Sequence, residues 1–233
     1  DDLMRAGDIQ LLEVTLDGFM TPGGRRYLGK LAEDFALVTH SLSLNLASPW
    51  GPDSAYLKNV RVLLDIVEAK FHTDHLAVTN TPEYWFPQLT PPLLINGDLE
   101  NAVRNVSRVQ EALGRPMLLE NIANFFQPYP QEELVDFMTR ICNESGARLL
   151  LDVENLYANW LNFGGEEPEG LLNRMLPQHV VGLHIAGGRV DQTGFYVDAH
   201  DSCPGEPELR LAEIAAVKLA PQYAIIEFDT AVP

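Results

Sequence analysis

Cysteine is scarce in this chain of 233 residues: Cys142 and Cys203 are the only two. Two cysteines make no disulfide framework, so a reducing cytoplasm is the expected location. Basic residues are scarce as well. Sixteen lysines and arginines stand against 33 aspartates and glutamates, and the formal net charge is −17 with the six histidines neutral. A surface of that sign offers no basic face to a phosphate backbone, so nucleic acid is not an expected partner. No apolar run approaches the roughly 18 residues of a membrane span, so no membrane is expected either. Residues 1–10, DDLMRAGDIQ, have neither the basic start nor the apolar centre of a signal peptide. There is no GxGxxG turn after an early strand and no CxxC pair, which disfavours a doubly wound dinucleotide site and a structural zinc site.

What is present is an ordinary globular composition, 46% hydrophobic and 21% charged, with a repeating plan. Short apolar runs predict strands at residues 11–16, 36–44, 72–78, 116–121, 149–155, 180–187 and 223–229. Between them lie helical patterns. In DLENAVRNVSRVQEALG, Asp98 is placed to cap, Ala102, Val103, Val106, Val109 and Leu113 form a stripe, and Gly114 is the stop. QEELVDFMTRICNESG has the same form, with Leu134, Phe137, Met138 and Ile141 on one face and Gly146 as its stop. AYLKNVRVLLDIVEAK and PELRLAEIAAVKLA complete the set. Nearly all-apolar strands alternating with amphipathic helices imply parallel pairing with both faces covered. The expected fold is therefore α/β, a TIM (β/α)8-type barrel forming one domain over residues 1–233. Seven strands can be counted where a full barrel has eight, so an N-terminal strand is expected to be missing from this chain.

The chemistry sits at the strand ends. In such a barrel the carboxyl ends of the strands carry the active site. Reading towards those ends gives His40, His75, Glu120, Asp152 with Asn155, His184, the pair Asp198 and His200, and Glu227. Asp198 and His200 are two apart and project to one side of an extended segment. His72 and His75 are three apart and face opposite ways, and His75 lies nearer the carboxyl end. Taken singly, a histidine at a strand end is more often a hydrogen-bonded core residue than a ligand, Asp152 would serve as a helix cap, and Glu227 would pair with an arginine. Their coincidence on so many strands points instead to a cation site, since buried carboxylates are tolerable when paired with metal. Carboxylate and imidazole donors suit iron, manganese or zinc, and so many donors suggest two or three ions. His179 precedes its strand and is expected at the surface, Cys142 in packing, and Cys203 in a loop.

The motifs HSLSLNLAS, DHLAV, LGRPMLLENIANFF, LLLDVENLYAN, VVGLHIAGG, VDAHD and IIEFD, in this order, resemble the multinuclear non-haem iron-dependent oxidative enzymes, whose best-known members act in the biosynthesis of methanobactin and other peptide natural products. The resemblance runs from Glu13 to Asp229. It implies a xylose-isomerase-like TIM barrel holding two or three iron ions at its mouth, with His40, His75, Glu120, Asp152, His184, Asp198, His200 and Glu227 as ligands. It further implies Asn155 as a ligand to a further ion and Asp74 as a residue orienting the neighbouring imidazole. The implied activity is O2-dependent oxidation of a ribosomal precursor peptide at cysteine, with a separate partner protein that recognises the peptide. Two positions depart from the resembled pattern: Gly188 stands where many members carry histidine, and Glu154 where asparagine is common. Three other readings share the barrel. They are a divalent-metal sugar isomerase or epimerase, a metal-dependent hydrolase of the three-zinc endonuclease kind, and a catalytically silent binding scaffold.

Overall fold

The computed structural model describes residues 11–127 and 133–228. Asp229 of the last predicted strand and Gln131 and Glu132 at the start of one predicted helix lie outside the described residues. In chain order the strands are β1 (Leu12–Thr15), β2 (Leu37–Ser41), β3 (His72–His75), β4 (Val78–Asn80), β5 (Trp85–Thr90), β6 (Met117–Glu120), β7 (Arg148–Asp152), β8 (Val180–Ile185), β9 (Gly187–Val190), β10 (Tyr196–Ser202) and β11 (Tyr223–Ile226). The helices are α1 (Pro22–Asp34), α2 (Ser54–Ile66), α3 (Asn96–Leu113), α4 (Leu134–Ser145), α5 (Val153–Phe163), α6 (Pro168–Arg174) and α7 (Glu206–Leu219).

Seven of these strands form one sheet in the order β1-β2-β3-β6-β7-β8-β11. Every neighbouring pair is parallel. The sheet curls into a near-closed barrel. Among the described residues, β1 and β11 each pair on one side only, and the seam of the barrel lies between them. The two sides of the seam still meet, because Glu13 of β1 reaches His184 of β8 at 3.1 Å. Helices cover the outside with the stripes the sequence predicts. Leu99, Ala102, Val106, Val109 and Leu113 of α3 are buried, as are Phe137, Met138, Ile141 and Cys142 of α4. Burying a side chain such as Phe137 stabilises the fold by about 2–3 kcal/mol.

Several expected boundaries move. The run 149–155 is strand only to Asp152, whose carboxylate accepts from the backbone N–H of Asn155 at 2.7 Å and starts α5. Glu154 and Asn155 are therefore helical, not extended. The predicted strand 72–78 ends at His75, and Val78 begins a two-stranded hairpin of β4 and β5. Likewise 180–187 stops at Ile185, and Gly187 opens the β9–β10 hairpin. Helix α3 begins at Asn96, ahead of Asp98, whose carboxylate instead accepts from Leu93 N–H at 2.6 Å. His179 sits buried in a 3-10 turn, contrary to the surface placement expected of it, because the turn Pro177–His179 packs against α7.

Candidate metal centre

The sheet register gathers the strand-end residues on one rim. His75 pairs with Glu120 across β3 and β6, and Asp152 pairs with His184 across β7 and β8. His40 is the penultimate residue of β2 and Glu227 directly follows β11. Three groups of potential ligands result: His40, His75 and Glu120; Glu120, Asp152, His184 and Glu227; and Glu154, Asp198 and His200. Within each group the donor atoms lie within 4.8 Å of one another. The groups are joined. Glu120 belongs to the first two, and Glu227 approaches both His184 Nδ1 at 2.9 Å and His200 Nδ1 at 3.5 Å.

Each imidazole is held for a purpose its neighbours reveal. The Thr73 hydroxyl donates to the Thr39 carbonyl at 3.1 Å, so at 2.6 Å from His40 Nδ1 it accepts that ring's N–H. His40 then keeps a bare Nε2 facing the Glu120 carboxylate at 3.7 Å, the tautomer a metal-bound histidine needs. Burial, reinforced by His75 and His184, pushes His40 well below the usual imidazole range, so it is neutral. His75 offers Nε2 to the same Glu120 carboxylate at 3.5 Å. His184 has Glu13 at 3.1 Å on Nε2 and both Glu120 and Glu227 at 2.9 Å on Nδ1. Burial opposes its protonation, but the Glu120 and Glu13 carboxylates carry it well above the usual range. The imidazolium supplies positive charge that the acids around it demand. His200, held at φ 46°, has its Nε2 against Asp198 and, at 3.3 Å, Glu154.

The acids are strained in the electrostatic sense. Asp152 is fully buried and pushed well above the carboxylate range, by burial first and by Glu120 and Asp198 next. Its Oδ2 has no hydrogen-bond partner among the described residues, nor do Glu120 Oε2, Glu13 Oε2 and both carboxylate oxygens of Glu154. Burial raises Glu154 to about 8. Buried acceptors without donors are the signature of a missing positive partner.

Two further residues stand beside these groups. Asp74 holds the main-chain N–H groups of His75 (2.7 Å) and Leu44 (3.0 Å) and the Ser41 hydroxyl (2.6 Å). It thus fixes His75 through the backbone, where an effect through the ring was expected. Asn155 gives its side-chain N–H to Asn121 O at 3.1 Å and leaves Oδ1 unpartnered. Sequence reasoning missed Glu13 as a contributor, though an acid inside the apolar strand LLEVTL is the same signal that marked the other strands. Glu154 was noted only as a departure. The structure puts both departing positions together: a Cβ on Gly188 would lie 2.2 Å from Glu154 Oε1.

The chain is similar to several known proteins. A UPF0276 protein of Rhizorhabdus wittichii is 32% identical over 230 residues, which is 97% of this chain and 81% of the relative. A UPF0276 protein of Shewanella loihica is 28% identical, over 97% of this chain and 82% of the relative. Among solved structures, the barrel resembles D-psicose 3-epimerase from Clostridium cellulolyticum (TM-score 0.62, 15% identity, 99% of this chain and 78% of that one). It also resembles a zinc-bound IolI protein (TM-score 0.67, 13% identity, 97% and 82%) and endonuclease IV from Thermus thermophilus (TM-score 0.64, 14% identity, 99% and 86%). These likenesses establish the TIM-barrel fold. The family described as RiPP precursor modification enzyme MbnB/TglH/ChrH matches residues 1–233, and the chain belongs to that family of peptide-modifying enzymes.

Proposed function

We propose that this chain is a multinuclear non-haem iron enzyme that uses O2 to modify a ribosomal precursor peptide oxidatively at a cysteine. The observation that carries the reading is the linked set of three ligand groups, with Glu120 common to two of them and Glu227 touching two. Glu13, Glu120, Asp152, Glu154, Asp198 and Glu227 bring six carboxylates to one rim, all but Asp198 and Glu227 at least nine-tenths buried by side chain or residue. Three divalent ions would carry an equal and opposite charge. The residues therefore fit the metal ions that the family implies, and oxygen and imidazole donors suit iron. When bound, such ions supply Lewis acidity towards a thiolate and the redox chemistry towards O2.

The chain's own contribution is positioning. His40, His75 and Glu120 would hold one ion, with Thr73 fixing the His40 tautomer. Glu120, Asp152, His184 and Glu227 would hold the next, and Asn155 would serve a further ion through its Oδ1, which has no hydrogen-bond partner among the described residues. Glu13 would take the His184 Nε2–H and so turn Nδ1 to the centre. Asp198 and His200 would face the outermost position. The segments that follow β2, β3 and β6 expose Trp50, Tyr84, Trp85, Phe125 and Phe126, apolar surface that suits a peptide. Whether a separate protein presents that peptide belongs to the same proposal, as does a cytoplasmic setting. Among the described residues no helix is long and apolar enough to cross a membrane.

The epimerase-like barrel favours a second reading, a divalent-metal sugar isomerase or epimerase. Metal analysis separates the two. Protein purified without oxygen is expected to carry two or three irons per chain, with a coupled ferrous–ferric signal by Mössbauer or EPR spectroscopy. Zinc or manganese alone, unchanged when iron is supplied during expression, would reject the oxidative reading.

A further inference from the structure

We infer that Glu154 is a ligand of the outermost cation, completing a site with Asp198 and His200, and that Gly188 is the position that makes room for it. The inference rests on the metal-centre reading above and adds to it a residue and a steric condition peculiar to this chain. Glu154 is the second residue of α5, carried down into the barrel mouth because Asp152 caps that helix. Its carboxylate is fully buried, and neither oxygen has a hydrogen-bond partner among the described residues. A buried carboxylate in that condition is destabilising unless a cation meets it. Its neighbours Asp198 and His200 are themselves candidate ligands. His200 Nε2 lies 3.3 Å from Oε2, the same nitrogen touches Asp198, and one donor atom from each of the three residues falls within 4.8 Å of the others.

The far side of the carboxylate is shaped by an absence of side chain. At Gly188 a Cβ would lie 2.2 Å from Glu154 Oε1, 2.6 Å from Tyr196 Cε1 and 2.6 Å from the Val197 carbonyl oxygen. Neither of the latter can retreat easily. Tyr196 is buried, accepts the Gly188 N–H at 3.1 Å and donates to Glu208 at 2.7 Å. Any side chain at 188 would displace the Glu154 carboxylate first. With His200 giving up its proton to become a ligand, two carboxylates and one imidazole would bring a charge of −2, which one divalent ion balances, and three protein donors leave coordination positions for water or substrate. The class of ligand is a first-row divalent transition-metal ion, and Fe2+ is the one to test.

The test is stoichiometry on the full chain. Metal-stripped protein dialysed against Fe2+ under nitrogen is expected to bind three equivalents, and the Glu154→Gln and Gly188→Ala variants two. Crystals of the loaded wild-type protein are expected to give an iron-edge anomalous peak between Glu154, Asp198 and His200. Saturation of the wild type at two equivalents, three equivalents retained by Glu154→Gln, or no peak there while the two inner groups are filled would each overturn the inference. If either variant fails to fold, the anomalous peak on wild-type protein still decides. A wild-type chain that binds no iron at all would instead refute the proposed function.

Discussion

His72 and His75 are three residues apart on one short strand and have opposite chemistry. His75 meets Glu120 on the barrel rim. His72 points the other way, fully buried, with Thr39 Oγ1 at 3.0 Å from Nδ1 and Ser41 Oγ at 2.9 Å from Nε2. Burial pushes His72 from 6.5 down to about 3, so it stays neutral in the folded chain and protonates readily only when unfolded. Because its folded value is depressed, the stability it contributes is complete above pH 6.5 and is lost as pH falls towards about 3. Between pH 6.5 and 5 that loss is about 2 kcal/mol. Denaturant titration at pH 7 and pH 5 should show a drop that is smaller by about this amount in His72→Asn than in wild type. Equal drops would mean His72 does not titrate in this way. Strand parity alone separated these two histidines in the sequence. It could not find the Thr73 bridge to His40 or the contact of Glu13 with His184, because both join strands whose register is set by the barrel.

Helices were legible where their ends carried a chemical mark. Gly114 and Gly146 stop α3 and α4 at φ 66° and 76°, the left-handed region that side chains disfavour. No atom lies within 4 Å of a Cβ built on Gly146, so the conformational term is isolated there. Gly146→Ala should lower stability by about 1 kcal/mol with an unchanged urea m-value. A neutral result would show that the turn can relax. Helix α1 was not legible, since TPGGRRYLGKLAEDF is rich in glycine, which disfavours a helix. Its start is fixed by Thr21, whose side chain accepts from Gly24 N–H at 3.1 Å, with Pro22 in the first turn. Strand ends were overrun for a related reason. The residues after His75 and Ile185 are still apolar, and what ends those strands is departure from the barrel wall into a hairpin.

At the scale of the whole molecule the dominant fact is negative charge, −17 in total, with a share of it concentrated at one end of the barrel. That end is held together by contacts of imidazole and carboxylate, and ion binding should stabilise the chain by mass action. Stripping the metal is expected to lower Tm by about 5–10 °C, restored on adding Fe2+ anaerobically, as followed by calorimetry. An unchanged Tm would argue that no cation links these groups.

The alternation of apolar runs and helical stripes determined a barrel of parallel strands. The polar residues closing those runs pointed to a mouth rich in imidazole and carboxylate, because a helix cap explains one such acid, Asp152, but not acids and imidazoles on so many strand ends. The tertiary structure alone decided which residues meet. Glu154 reads as an ordinary helix residue until α5, capped by Asp152, turns it into the mouth, and Gly188 reads as a loop glycine until its missing side chain proves to be the space Glu154 occupies. Those facts depend on distances between strands β7 through β10, which no local pattern of residues encodes.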